Sequence, residues 1–212
     1  MIPRPAAPWY LHPAEEAASW ERLVRGCGLA FAVINVHNGP GKALDGYYAA
    51  ALEQGCGTPL AGYVDVAYGA RSVGQTLRQA EAWRRWYGVR SVMLDQVPSV
   101  PRQGGWSVDV VDALRNAGCE RVLLNPGTVP HPDLVEAADV TCTFEGSWRD
   151  YSRARPAASD AADRCRTWHL VHSCPPQRQS RALELASARG VGHAWVTAGV
   201  LPDPWSQPQE RW

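Results

Sequence analysis

Leu60-Ala61-Gly62-Tyr63-Val64-Asp65 opens a unit that closes on Ser91-Val92-Met93-Leu94-Asp95. Between them, residues 72–87 begin with a serine able to cap and carry Leu77, Ala80 and Trp83 at helical spacing. Two apolar runs of strand length joined by a helix-length crossover predict a parallel pair. The unit recurs along the chain. Leu29-Ala30-Phe31-Ala32-Val33-Ile34-Asn35 precedes it, and Arg121-Val122-Leu123-Leu124-Asn125 and Val140-Thr141-Cys142-Thr143-Phe144-Glu145 follow. Thr167-Trp168-His169-Leu170-Val171-His172 and His193-Ala194-Trp195-Val196-Thr197 end the series, and a first strand is expected at Trp9-Tyr10-Leu11. Helices are predicted over 14–25, 43–54, 108–117 and 181–189, with Gly26, Gly55, Gly118 and Gly190 placed to stop them as left-handed caps. Residues 147–166 are rich in Arg, Ala, Ser and Asp around Pro156, and read as a loop with broken helix.

Eight alternating units predict an α/β fold, a (β/α)8 TIM barrel forming a compact single domain over residues 1–212 with 201–212 as a C-terminal tail. The chain is shorter than the roughly 250 residues typical of that fold. The alternative, an open doubly wound sheet, expects a glycine-rich turn after the first strand. Trp9-Tyr10-Leu11-His12-Pro13 offers none.

Composition narrows the function. Lys plus Arg equals Asp plus Glu at 21 each, so there is no basic footprint for nucleic acid. No apolar run is long enough to span a bilayer, so no membrane partner is expected. The first residues lack the apolar core of a signal peptide, which predicts a cytoplasmic protein; a trimmed or otherwise exported chain would be secreted. Cys27, Cys56 and Cys119 each follow a glycine at a predicted helix end and are expected to be small buried side chains. No CxxC pair or metal-finger spacing occurs, so neither a metal nor a cofactor is expected. Ten tryptophans exceed ordinary usage, and aromatic faces also line sugar sites.

In a barrel, chemistry collects where strands end. Reading those ends gives His12, Asn35 with Asn38, Asp65 with Tyr68, Asp95 with Gln96, Asn125, Glu145, His172 and Thr197, with Tyr63 inside its strand. This is a ring of groups suited to a polyol. Asp95 and Glu145 are the sharpest, because a carboxylate at the mouth of an apolar strand is costly unless it carries chemistry. Two such acids across a pocket are the minimal equipment for cleaving a glycosidic bond. The bland alternatives are a loop cap, an ion pair of Asp95 with Arg71, or a structural acceptor role for Glu145. Asn38-Gly39-Pro40-Gly41-Lys42 lacks phosphate-loop spacing and reads as a tight turn. His169 and His172 share a strand on opposite faces and make no metal pair.

These pieces together resemble the spherulin-4-like proteins (spherulation-specific family 4). The matching segments are Asn35-Val36-His37-Asn38-Gly39-Pro40-Gly41, Gly62-Tyr63-Val64-Asp65 with Tyr68-Gly69 and Arg71, Trp83 with Trp86-Tyr87, and Leu94-Asp95. Asn125-Pro126-Gly127-Thr128, Phe144-Glu145, His172 and Leu201-Pro202-Asp203-Pro204-Trp205 complete the set. The resemblance covers residues 9–205. It implies a (β/α)8 barrel with glycoside hydrolase activity on polysaccharide containing galactosamine or N-acetylgalactosamine. It also implies Asp95 as nucleophile or charge stabiliser and Glu145 as general acid/base. Gln96 departs from the pattern, since some active members carry Glu there, and an amide cannot ionise.

Two functions compete on this reading. One is a glycosidase acting on an oligo- or polysaccharide through Asp95 and Glu145. The other is a non-catalytic carbohydrate-binding barrel, favoured by Gln96. A phosphate-handling barrel is weaker, because the loops after the last two strands hold no glycine-rich cradle. Nothing in the pattern fixes an oligomeric state.

Overall fold

The computed structural model describes residues 2–100, 106–154 and 164–206. Nine strands, β1 (Arg4–Pro5), β2 (Ala7–Trp9), β3 (Ala32–Ile34), β4 (Leu60–Asp65), β5 (Val92–Asp95), β6 (Val122–Asn125), β7 (Val140–Ser147), β8 (Thr167–His172) and β9 (His193–Val196), form one sheet. Every pairing is parallel, in the order β1-β9-β8-β7-β6-β5-β4-β3-β2. β1 and β2 are two halves of one strand split at Ala6. The first half pairs with β9 and the second with β3, which closes the sheet into the expected barrel. The Ala6 amide donates to Ala194 and the Ala7 amide to Phe31, so the seam is hydrogen-bonded on both sides.

This strand corrects the expected one at Trp9-Tyr10-Leu11. Pro3, Pro5 and Pro8 hide it in the sequence, because proline cannot donate to a ladder. Here the two halves share the pairing between two neighbours, so the prolines fall where donation is not required.

Helices α1 (Ala17–Arg25), α2 (Gly46–Leu52), α3 (Val73–Tyr87), α4 (Trp106–Asn116), α5 (Pro132–Ala137), α6 (Trp148–Arg153) and α7 (Gln179–Ala188) link the strands. α5 lies where no helix was expected, and α6 is a short helix within the segment read as a loop with broken helix; residues 155–163 of that segment lie outside the described residues. The α3 boundaries follow local chemistry. Ser72 and Gln75 form a reciprocal capping box, and Gly88 ends the helix in a left-handed conformation.

α3 also fixes the strand that faces the site. A Cβ on Gly62 would lie 2.4 Å from the Trp83 ring, so only glycine lets the indole press flat on β4. The Trp83 indole N–H then donates to the Tyr63 carbonyl at 2.8 Å, leaving no orphan polar atom in the contact. Truncating a fully buried tryptophan of this kind costs about 3–5 kcal/mol. Cys27, Cys56 and Cys119 are half-buried rather than buried, because they sit at helix ends on the rim where the strands start. No helix among the described residues is long and apolar enough to cross a membrane.

Candidate functional site

Register sets the site. Asp65, Asp95 and Asn125 are mutual Cα partners across β4, β5 and β6, so their side chains leave the sheet at one level. Tyr63 sits two residues earlier on β4, and its longer side chain reaches the same height. Its hydroxyl donates to Asp95 Oδ2 at 2.7 Å. The Asn125 amide nitrogen carries two hydrogens and uses both, donating to Asp95 Oδ1 at 2.8 Å and to Glu145 Oε2 at 2.6 Å. Its oxygen accepts from the Gly127 amide at 3.0 Å, which fixes the amide with its nitrogen towards the acids.

Glu145 reaches this group through a bulge. Cys142 pairs with Trp168, but the next register partner of His169 is Phe144, so Thr143 is an extra residue in β7. One inserted residue reverses the alternation of the strand. Cys142 lies in the main core and Glu145 lines the cleft, three residues apart and on the same side. Thr143 and Phe144 both turn outward. Thr143 meets the His169 ring at 3.1 Å, and Phe144 stacks on Tyr151 of α6. Phe144 is therefore no wall of the cleft.

The C-terminal segment forms the remaining wall. A Cβ on Gly199 would fall 2.1 Å from the Pro204 carbonyl oxygen, so the chain can double back only over a glycine. The return brings Leu201, Pro202, Asp203, Pro204 and Trp205 to the cleft mouth. The Trp205 side chain donates to Glu145 and meets His172 edge-on, with ring centroids 6.2 Å apart. The resulting cleft has a volume of about 340 Å³, and Tyr10, Asn35, Tyr63, Asp95, Asn125, Glu145 and His172 supply its polar lining.

Electrostatics separates the two acids. Burial pushes both carboxyls above the ordinary carboxylate range. Asp95 is offset by three donors, the Tyr63 hydroxyl, the Gln96 amide and Asn125, and the neighbouring Asp65 charge raises it. Glu145 is offset by Asn125 and Trp205 only, and the neighbouring Asp95 charge raises it further. Asp95 thus has one hydrogen-bond donor more than Glu145 to stabilise its anion. Tyr10 and Tyr63 are raised by burial and by Asp95, so both stay protonated as donors.

The structure gathers six of the sequence-predicted residues around this cleft: Asn35, Tyr63, Asp95, Asn125, Glu145 and His172. Asn35 also accepts from the Gly39 amide at 2.9 Å, holding its loop. The other candidates stand outside the cleft lining. His12 Nδ1 accepts from the Ala14 amide, and its ring lies against Tyr47 and Tyr48. Asp65 accepts from the Ala67 amide at 2.7 Å and pairs with Arg71 at 3.8 Å, so Arg71 serves Asp65 rather than Asp95. Tyr68 is exposed, and the Gln96 carbonyl accepts from the Tyr68 amide. Thr197 is buried, and its hydroxyl accepts from the Gly199 amide. Tyr10 and Asp203 line the cleft without having been singled out for it. Among the described residues, no three His, Cys, Asp or Glu side chains gather as a metal-ligand set.

Three comparisons bear on this geometry. Spherulin-4 of Physarum polycephalum is 22% identical over 210 residues, covering 91% of this chain. This chain spans only 62% of that protein's length. The crystal structure of Aspergillus clavatus Sph3 in complex with GalNAc superposes with a TM-score of 0.77 at 18% identity, covering 100% of this chain and 94% of that one. At that identity the likeness establishes a shared barrel fold. The sequence profile of spherulation-specific family 4 matches residues 6–212, from the split first strand through the segment that walls the cleft, and the chain belongs to that family.

Proposed function

We propose that this barrel is a glycoside hydrolase acting on polysaccharide that contains galactosamine or N-acetylgalactosamine. The observation that carries the reading is the single amide of Asn125 bridging two half-buried carboxyls. The bridged oxygens are no farther apart than those two bonds laid end to end. That limit falls within the roughly 5–5.5 Å spacing of retaining glycosidases and short of the ~6.5–9.5 Å that leaves room for a water in inverting ones. The sugar class is supported by the family and by the GalNAc held in the Sph3 structure.

In this reading Glu145 gives its proton to the glycosidic oxygen as the bond from the anomeric carbon to that oxygen breaks. Asp95 attacks the anomeric carbon and forms an ester. Glu145, now a carboxylate, takes a proton from water, whose oxygen displaces Asp95. Asn125 keeps the two acids in register throughout, and the Tyr63 hydroxyl steadies the Asp95 anion before and after attack.

The test is incubation with N-acetylated and de-N-acetylated galactosaminans, followed by mass spectrometry of released fragments. Hydrolysis that vanishes in Glu145→Gln and in Asp95→Asn supports the assignment, and unchanged turnover in either variant defeats it. A second reading, a binding barrel without turnover, is favoured by Gln96 standing where some active relatives carry Glu. It predicts calorimetric binding of oligosaccharide with no reducing ends released.

A further inference from the structure

Tyr68 combines two unfavourable choices at one position. The residue is 61% exposed, although a buried tyrosine removes about 150–250 Å² from water. Its φ is +51°, in the left-handed region, where a residue with a Cβ is strained by roughly 1–2 kcal/mol. The neighbouring Ala67 at +47° and the facing Gln96 at +56° share that conformation. Three non-glycine residues in the left-handed region meet at one point of the rim.

The strain is held by a dense set of hydrogen bonds. Asp65 Oδ1 accepts from the Ala67 amide at 2.7 Å, and the Gln96 carbonyl accepts from the Tyr68 amide at 2.8 Å. The Val66 amide donates to the Asp95 carbonyl at 3.0 Å, and the Gly69 amide to the Val66 carbonyl at 2.9 Å. The loop after β4 is therefore stitched to the end of β5, one residue from Asp95. A loop whose backbone is held against the end of β5 is preorganised, so little backbone ordering opposes a ligand that stacks on its exposed tyrosine.

We propose that Tyr68 is the aromatic platform of an outer subsite, stacking a pyranose of the same polysaccharide beyond the residue held at Asp95 and Glu145. The inference rests on the carbohydrate reading above and adds to it that the ligand is a chain rather than a single sugar. Continuity carries it. The platform loop shares backbone bonds with the end of the strand that presents Asp95: the Val66 amide donates to the Asp95 carbonyl, the Tyr68 amide donates to the Gln96 carbonyl, and Asp95 itself lines the cleft.

The test is titration calorimetry of N-acetylgalactosamine and its hexasaccharide in the Glu145→Gln background, which keeps the sugar intact. The hexasaccharide is expected to bind more tightly than the monosaccharide. Tyr68→Asn keeps the left-handed conformation but removes the ring, and should cut the ratio of the two affinities about tenfold. Tyr68→Phe keeps the ring and should restore the ratio. A ratio unchanged in Tyr68→Asn, or lost equally in Tyr68→Phe, overturns the platform alone. No binding of either sugar to the protein with Tyr68 intact overturns both the platform and the carbohydrate reading.

Discussion

The two rims of the barrel use the same backbone conformation for different ends. Where the strands begin, Gly26, Gly28, Gly55, Gly88, Gly118 and Gly190 take positive φ. Each is glycine, which carries no Cβ penalty there. Where the strands end, Gly39, Gly41, Gly69 and Gly127 do the same, but Asn38, Ala67, Tyr68, Gln96 and Ser173 also take positive φ, with side chains attached. The charges divide likewise. Arg90 and Glu120 meet at 3.9 Å and Arg115 and Asp139 at 3.5 Å on the first rim, exposed pairs worth about 0–1 kcal/mol. The second rim holds Asp95 and Glu145 half-buried, at a cost in solvation. Among the described residues, Leu44, Tyr47, Tyr68, Val100, Val129, Val200 and Leu201 are exposed large apolar side chains there, against Ile2 near the other end. One rim is built for stability, and the other holds strain, half-buried charge and wetted apolar surface as a binding face does.

The largest effect expected from that contrast is on the chemistry. Asp95→Asn or Glu145→Gln should lower turnover at least a thousandfold, about 4 kcal/mol in barrier height. Breaking the Arg90–Glu120 pair by Glu120→Gln should leave kcat/KM within twofold. Steady-state kinetics on the three proteins decides this, and an Asp95 variant that resembles the Glu120 variant would erase the functional difference between the rims.

Between the rims, the wall buries two histidines as neutral rings. Burial pulls His169 down to about 3 and His193 to about 4, from an ordinary 6.5. The unfolded chain therefore binds more protons below 6.5. The histidine contribution is whole above that value and is lost as pH falls towards the folded values. Each ring should remove about 1.4 kcal/mol per pH unit inside its window. The raised carboxyls of Asp95 and Glu145 work with opposite sign, since their folded forms hold protons more tightly. Urea unfolding between pH 6.5 and 5 should show a shallower acid loss in His169→Gln than in the parent. Equal slopes would show that His169 is not the group responsible.

Much of this architecture can be read from the sequence because it depends on neighbours. Apolar runs of strand length, a Ser72 cap and glycines at helix ends act within a few residues. The polar strand ends that form the cleft, Asp95, Asn125, Glu145 and His172, are visible for the same reason. The parts that escape depend on distant partners. The prolines of the first strand look like breakers until β9 and β3 divide the pairing. The Thr143 bulge exists only against β8, and nothing local to β7 announces it. Asp65 and Thr197 have the residue type and position of ligand groups, but backbone amides within two residues take their oxygens. The wall at 201–205 has no secondary structure to detect, although its residues belong to the family pattern.

That wall gives a smaller test. The Trp205 donor lowers the Glu145 carboxyl, working against burial. Trp205→Phe removes the donor and keeps most of the ring, so Glu145 should hold its proton to higher pH. The basic limb of the kcat/KM profile, which reports loss of the general acid, should then move up in pH. At a fixed pH on that limb, activity should rise relative to the plateau. A basic limb that stays in place would mean that Glu145 does not set it.

The smallest effect tests the rims directly, by exchanging the two residue types. Gly88 ends α3 at φ +69°, with nothing within 4 Å of an added Cβ. Gly88→Ala therefore adds only the left-handed penalty and should cost about 1 kcal/mol. Ala67→Gly removes the same penalty at the opposite rim, offset in part by the greater freedom of glycine in the unfolded chain, and should stabilise by about 0.5 kcal/mol. Denaturant midpoints give the two signs. Functional readouts should run the other way: Gly88→Ala leaves hexasaccharide affinity intact, whereas Ala67→Gly loosens the platform and weakens it. If Ala67→Gly gains stability with no loss of affinity, the left-handed turn beside Tyr68 is incidental to binding, and strain at that rim has to be explained by the packing of the loop alone.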